Sequence, residues 1–144
     1  MPEISVLKVV QMASCLFMTG LIWLVQVVHY PGFSFVARES FPSFHNFHST
    51  RITWIVGPVM TVELVTAAIL CLRQPDDWLW WANLGGVIAL WLCTALLSVP
   101  NHNQLALGYS EPLILALVAT NWPRTLIWSL RSLLLTGIVA RSAV

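Results

Sequence analysis

Residues 52–72 read ITWIVGPVMTVELVTAAILCL, an apolar run broken by a single charge, Glu63. About 20 mostly apolar residues are needed to cross the hydrocarbon of a bilayer. The run meets that length without strand-like alternation, so it is read as a membrane-spanning helix, lipid accepting only helices or closed barrels. Just upstream, Ser40-Phe41-Pro42 has the pattern of a helix start, with Ser40 as N-cap and proline in the first turn. The helix is therefore expected to begin outside the hydrocarbon and to run from about 41 to 72. It carries His45, His48 and Arg51 before it meets lipid. Gly57-Pro58 is expected to kink it midway.

The rest of the chain has the same character. Of its 144 residues, 58% are hydrophobic and 9% charged, against roughly 25% charged in an ordinary soluble domain. Four spans, about 9–29, 48–72, 78–99 and 122–140, leave almost nothing for a soluble part. The fold class is all-α: one domain, 1–144, forming an integral-membrane four-helix up-and-down bundle. The first run is long for a signal-peptide core, and His29-Tyr30-Pro31 follows where small residues precede cleavage, so it is read as retained. Pro31-Gly32 is expected to end that helix. After the polar turn at 74–77, Trp78, Trp80 and Trp81 fit a headgroup boundary. Gly85-Gly86 would let a neighbouring backbone approach. Residues 113–120 are apolar but too short to span, and Asn121-Trp122-Pro123 looks like another helix start with Asn121 as N-cap. That reading gives a short extra helix before the fourth span.

Four spans put both termini and the 73–78 loop on one face and leave His29, His45, His48 and His102, every histidine of the chain, at the other. Orientation stays open, because Lys8, Arg73 and Arg141 on one face balance Arg38, Arg51 and Arg124 on the other. A net charge of +1 argues against a nucleic-acid partner. Cys15, Cys71 and Cys93 are widely spaced in apolar runs and have neither disulfide nor metal spacing; they read as small buried hydrophobes.

Intramembrane polar groups are costly and face the bundle interior. In the first helix Gln26 and His29 are three apart. In the second, His48, Ile52, Val59 and Glu63 share a face. Thr94, Ser98 and His102 step by four in the third, and Asn121, Arg124, Trp128 and Arg131 form one stripe in the fourth. Depth separates two levels. Glu63 lies about 22 Å below His48 at the helical rise, and Arg131 about 10 Å below Arg124. A Glu63–Arg131 ion pair near mid-membrane is geometrically reasonable, since a charge so deep needs a partner; it reads either as a structural pair fixing helix register or as a proton-relay or ligand-anchoring pair.

At the other level, imidazole is both a base near neutral pH and a common metal ligand. His45-x-x-His48 has helical spacing, and His29 and His102 would close a sphere around copper, zinc or iron, which spacing does not distinguish. Haem held by two of the histidines is a further alternative. The plainer reading is four interfacial histidines bonded to backbone or headgroups. Arg124, with Asn121 on its stripe, either reaches headgroups or holds a substrate oxyanion. Trp54, Trp91 and Trp128 are candidates to line an aromatic pocket.

The order Val28-His29-Tyr30-Pro31, then Val99-Pro100-Asn101 with Asn103, then Asn121-Trp122-Pro123-Arg124-Thr125 and Trp128-x-x-Arg131 resembles the anthrone oxygenase-like family of small four-helix membrane proteins. His45-Asn46-Phe47-His48 is not part of that pattern. The resemblance implies oxidation of anthrones to anthraquinones without a conventional cofactor, and it implicates His29, Asn101, Asn121, Trp122, Arg124 and Thr125. The expectation is a membrane oxidoreductase or oxygenase acting on a small hydrophobic, aromatic or quinone-like ligand. His29 or His48 would be the general base, with Arg124 and Asn121 stabilising an enolate or phenolate; in the metal variant the four histidines replace the base. The alternative is a non-catalytic accessory subunit of a larger membrane complex, packed on partners or on further copies of itself through small-residue faces. Transport is a third reading, and would need an oligomer.

Overall fold

The computed structural model describes residues 2–142. Four helical rods make up the fold. The first, α1, is an α-helix (Pro2–Leu24) continued by a π-turn (Val25–His29), one α-turn (Tyr30–Gly32) and a 3-10 turn (Phe33–Phe35). The second, α2, spans Phe41–Arg73. The third, α3, repeats the plan of α1: an α-helix (Trp78–Cys93), a π-turn (Thr94–Ser98) and a last segment (Val99–Leu105). The fourth, α4, is Glu111–Ser142. All four are long and apolar enough to cross a membrane. The chain is an all-α, multi-pass integral membrane protein.

Proline shapes every rod. Each π-turn stops two residues before a proline, Pro31 or Pro100, and is closed by Tyr30 N–H donating to Val25 O or Val99 N–H to Thr94 O. Proline has no N–H, and its ring presses on the carbonyl four residues back. A widened preceding turn relieves that contact and lets the helix continue. Pro31-Gly32 thus does not end the first helix, which stays helical to Phe35.

Pro58 and Pro123 lie inside α2 and α4, and neither interrupts its helix. Residues 113–120 are accordingly not a separate short helix but the opening turns of α4, and Asn121 is not an N-cap but a buried mid-helix residue. The actual start carries Glu111 in its first turn, where a carboxylate complements the helix dipole. A proline inside a membrane helix is tolerated where neighbours re-satisfy the freed backbone. Here Gln26 Nε2 of α1 donates to Val118 O at 3.1 Å, next to Ala119, whose carbonyl is the one Pro123 leaves without an N–H. Ser40 stands at the N-cap position of α2, but its hydroxyl donates back to Ala37 O at 3.1 Å and caps nothing. Asp77 does cap α3, accepting from Leu79 N–H at 3.0 Å.

Each rod packs on two others, α1 and α3 both lying between α2 and α4. Side-chain contacts fix the registers. His29–His48 and Gln11–Thr66 join α1 to α2; Gln26–Asn121 and Cys15–Ser132 join α1 to α4. Asn83–Arg131 and Ser98–Arg124 join α3 to α4, and His45–His102 joins α2 to α3. In each pair joined by two such contacts the numbers rise along one helix as they fall along the other, so those neighbours are antiparallel, and α2 and α3 are antiparallel in consequence. The four histidines lie at one end of the bundle.

Polarity runs inside out relative to a soluble protein. Gln11, Gln26, Glu63, Asn83, Asn121 and Arg131 are buried. Leu72, Trp78, Val62 and Ile88 face outwards. Lipid solvates such a surface, whereas buried polar groups bind one another. Membrane-impermeant maleimide applied to lysed membranes is expected to label Ser43→Cys, at the polar outer face of the histidine end, and to leave Val62→Cys unmodified, although both positions are exposed on the bundle. Gel-shift labelling in a Cys93→Ser background checks this.

Candidate ligand site at the histidine end

Two polar layers cross the bundle. In the deeper one, Arg131 Nη1 donates to Glu63 Oε1 at 2.7 Å, joining α4 to α2 across the bundle, with both side chains almost fully buried. Trp128 Nε1 donates to the second carboxylate oxygen at 3.0 Å, and Arg131 Nε donates to Asn83 Oδ1 at 3.1 Å. Gly86 makes the room: a Cβ there would sit 2.7 Å from Arg131 Cδ. Gly86 therefore admits a side chain, Gly85 has nothing within 4 Å of where a Cβ would lie, and neither admits a neighbouring backbone.

The second layer holds the histidines. His29 Nε2 pairs with His48 Nδ1 at 2.7 Å, and His45 Nε2 with His102 Nδ1 at 3.0 Å. His102 Nε2 meets Tyr30 Oη at 3.0 Å. With Tyr30 donating, His102 carries its proton on Nδ1 and passes it towards His45 Nε2. Phe33, fully buried in the 3-10 turn of α1, packs edge-on against His29, His45 and His48, and Phe41 stacks on His45. The four imidazoles expected to share one metal ion instead pair off, nitrogen to nitrogen. Among the described residues no three His, Cys, Asp or Glu side chains form a metal-binding group. Both nitrogens of His102 are already engaged, so it would have to break a bond to turn towards a common centre. The arrangement does not fit a three- or four-imidazole centre.

Arg124 is buried just below the histidines. Its Nη1 donates to Ser98 Oγ at 3.0 Å and Asn121 Oδ1 at 3.1 Å. Asn121 Nδ2 in turn donates to Gln26 Oε1 at 2.9 Å, which also accepts from Thr125 Oγ1. The guanidinium lies over the Trp128 ring, 5.3 Å from its centroid. Each side chain thus holds the next, and Arg124 is fixed from two helices.

Several cavities reach this layer, and two of them bear on its polar groups most. One, of about 280 Å³ between α1 and α2, is almost wholly apolar and reaches His29, His48 and Arg51. The other, of about 250 Å³ between α2 and α3, brings Arg124, Tyr30, His102 and Ser98 together above an apolar floor of Val56, Met60 and Trp91. The second has the make-up of a ligand site, mostly apolar with a few convergent polar groups. The histidines proposed as general base, His29 and His48, line the first cavity; the imidazole on the second is His102. Asn121 stands behind Arg124 as its support. Trp91 lines the second cavity and Trp128 is buried beside it, but Trp54 points outwards at 75% exposure. Tyr30 is the residue that sequence reading missed, and its place next to His29 at the helix end was the available signal.

No protein-family model, no curated protein and no solved structure matches this chain.

Removing one partner of the deep ion pair leaves the other charge buried and unpaired. Glu63→Leu or Arg131→Leu alone is expected to lower stability by about 3–5 kcal/mol. The double variant should lose far less than the two losses together, because no lone charge remains. Unfolding in detergent micelles, followed for all three variants, measures the coupling.

Proposed function

We propose that this protein is a membrane-embedded, oxygenase-like oxidoreductase acting on a small hydrophobic, aromatic or quinone-like molecule in the cavity between α2 and α3. The observation that carries this reading is the convergence of a buried, doubly held arginine, a tyrosine and an imidazole on an otherwise apolar cavity. The resemblance to anthrone oxygenase-like proteins points the same way, since its motifs include Arg124 and the Asn121 that supports it. An accessory subunit has no need of such a cavity, so the enzyme reading is preferred. In this reading both termini lie on one side of the membrane, which an even number of spans supports.

The chemistry follows from the polar groups. In an anthrone the CH2 opposite the ring carbonyl is acidic, because the anion formed on losing a proton places its charge on the carbonyl oxygen. Arg124 is positioned to hold that oxygen, and a fixed guanidinium in a site with little water stabilises developing charge strongly. Tyr30 and His102 form the adjacent path for the proton. Dioxygen is the oxidant: one oxygen atom becomes the new carbonyl, and the other leaves as water with the two hydrogens of the CH2. No step requires a metal held by the histidines.

The test is anthraquinone formation from anthrone in air by protein in nanodiscs, followed by absorbance and oxygen uptake. Product should form well above autoxidation, Arg124→Gln should lower kcat by about 10²–10³, and activity should survive chelators with no stoichiometric metal in the purified protein. A folded wild-type protein that gives only the autoxidation rate overturns the proposal for this ligand class.

A further inference from the structure

The cavity between α2 and α3 has a direction, and tryptophans show how it lies in the membrane. Three helices place a tryptophan towards the histidine end: Trp23 in α1, Trp54 in α2 and Trp122 in α4, all exposed. Trp23 and Trp122 touch edge to face, with centroids 5.8 Å apart. The His29–His48 and Gln11–Thr66 contacts put Trp54 level with Trp23. From Trp54 to the end of α2 at Arg73 is about 28 Å at the helical rise, close to the roughly 30 Å of bilayer hydrocarbon. Exposed Trp78 marks the far boundary. Tryptophan prefers the headgroup level, so Trp23 and Trp54 mark the near one. On the α2/α3 side the outward residues beyond it are mostly polar, Ser43, Asn46, Thr50, Asn103 and Gln104, with exposed Phe47 and Val99 among them. On the α1/α4 side Val27, Val28 and Leu115 carry the apolar surface further. The α2/α3 side, where the cavity opens, therefore meets the headgroups first.

Arg124 lies at this boundary, since the contacts joining α1 to α4 put it level with Trp23. The cavity's polar groups, His102, Tyr30, Ser98 and Arg124, lie at or above that level. Its apolar floor lies below: Trp91 is about 10 Å deeper than Ser98 along α3, and Met60 about 9 Å deeper than Trp54 along α2. We infer that the occupant is a bilayer-resident amphiphile that enters sideways from the lipid, seating an oxygen-bearing aromatic head on Arg124 and an alkyl tail towards Met60 and Trp91. This rests on the proposal that the cavity is the ligand site, and it narrows the ligand class from any small hydrophobic molecule to one with a polar head and an apolar tail in this orientation.

Bromine quenches tryptophan only at contact, which makes the orientation measurable. Two alkylphenols serve as probes in nanodiscs, one brominated at the tail end and one on the ring, with a tail long enough to reach from Arg124 to Trp91. The tail-brominated phenol is expected to give saturable quenching that Trp91→Phe removes and that Arg124→Gln shifts to at least tenfold higher probe concentration. Gly57→Leu, whose side chain starts in open space beside the cavity, should weaken the same signal at least tenfold with an unchanged melting profile. If the ring-brominated phenol quenches Trp91 while the tail-brominated one does not, the orientation is overturned and the site stands. If neither probe shows saturation that depends on Arg124, the site falls, and the orientation with it.

Discussion

Glu63 and Arg131 are two opposite charges in a part of the molecule surrounded by hydrocarbon, and each is tolerable there only because the other is 2.7 Å away. Their meeting ties α2 to α4 through the centre and leaves those helices little freedom to slide. Asn83 brings α3 into the same layer through Arg131, and the Gln11–Thr66 contact brings in α1. With the four helices so registered, His29 arrives opposite His48, His45 opposite His102, and Asn121 opposite Gln26. The ligand site is thus downstream of the ion pair. A lone charge at this depth would cost more than the cavity's few hydrogen bonds return.

The upper layer solves a different problem. It lies near the headgroups, where water competes for hydrogen bonds, and it holds its groups by relay. Arg124 is kept by Ser98 and Asn121, Asn121 by Gln26, and Gln26 by the Val118 carbonyl beside the Pro123 turn. The same relay explains why prolines sit so close to the site. Pro31 and Pro100 each follow a π-turn that absorbs the strain, and Pro123 follows the turn whose Val118 carbonyl takes Gln26. Such turns recur at functional sites because the extra residue re-aims side chains that a regular helix would point elsewhere.

The sequence made the deep layer legible because helical arithmetic works there. Glu63 and Arg131 lie in regular α-helix, so counting residues gives both face and depth. It failed at the ends. Pro31 and Pro123 read as boundaries by local steric rules, yet both helices continue, the first through a widened turn and the second held at Val118 by a side chain of α1. Asn121 looked like a cap for the same reason. The gathering of the histidines could be anticipated from topology, but which nitrogen faces which depends on ring orientations set by Phe33 and Phe41, and no spacing rule carries that. Tyr30 was hidden because the π-turn before it alters the helical phase, so its face could not be counted from Gln26.

Gly86 carries a consequence of another kind. The absent side chain at that position is space occupied by the aliphatic stem of Arg131, so the two positions are bound in heredity as well as in space. A lineage that keeps the arginine must keep the glycine, and one that trades the arginine for a short side chain opens a void that position 86 is then free to fill. Glu63 has to change in the same step or soon after it, since it loses its counter-charge. Drift at these three sites is therefore correlated, and paralogues that abandoned the pair would be expected to show all three replacements together.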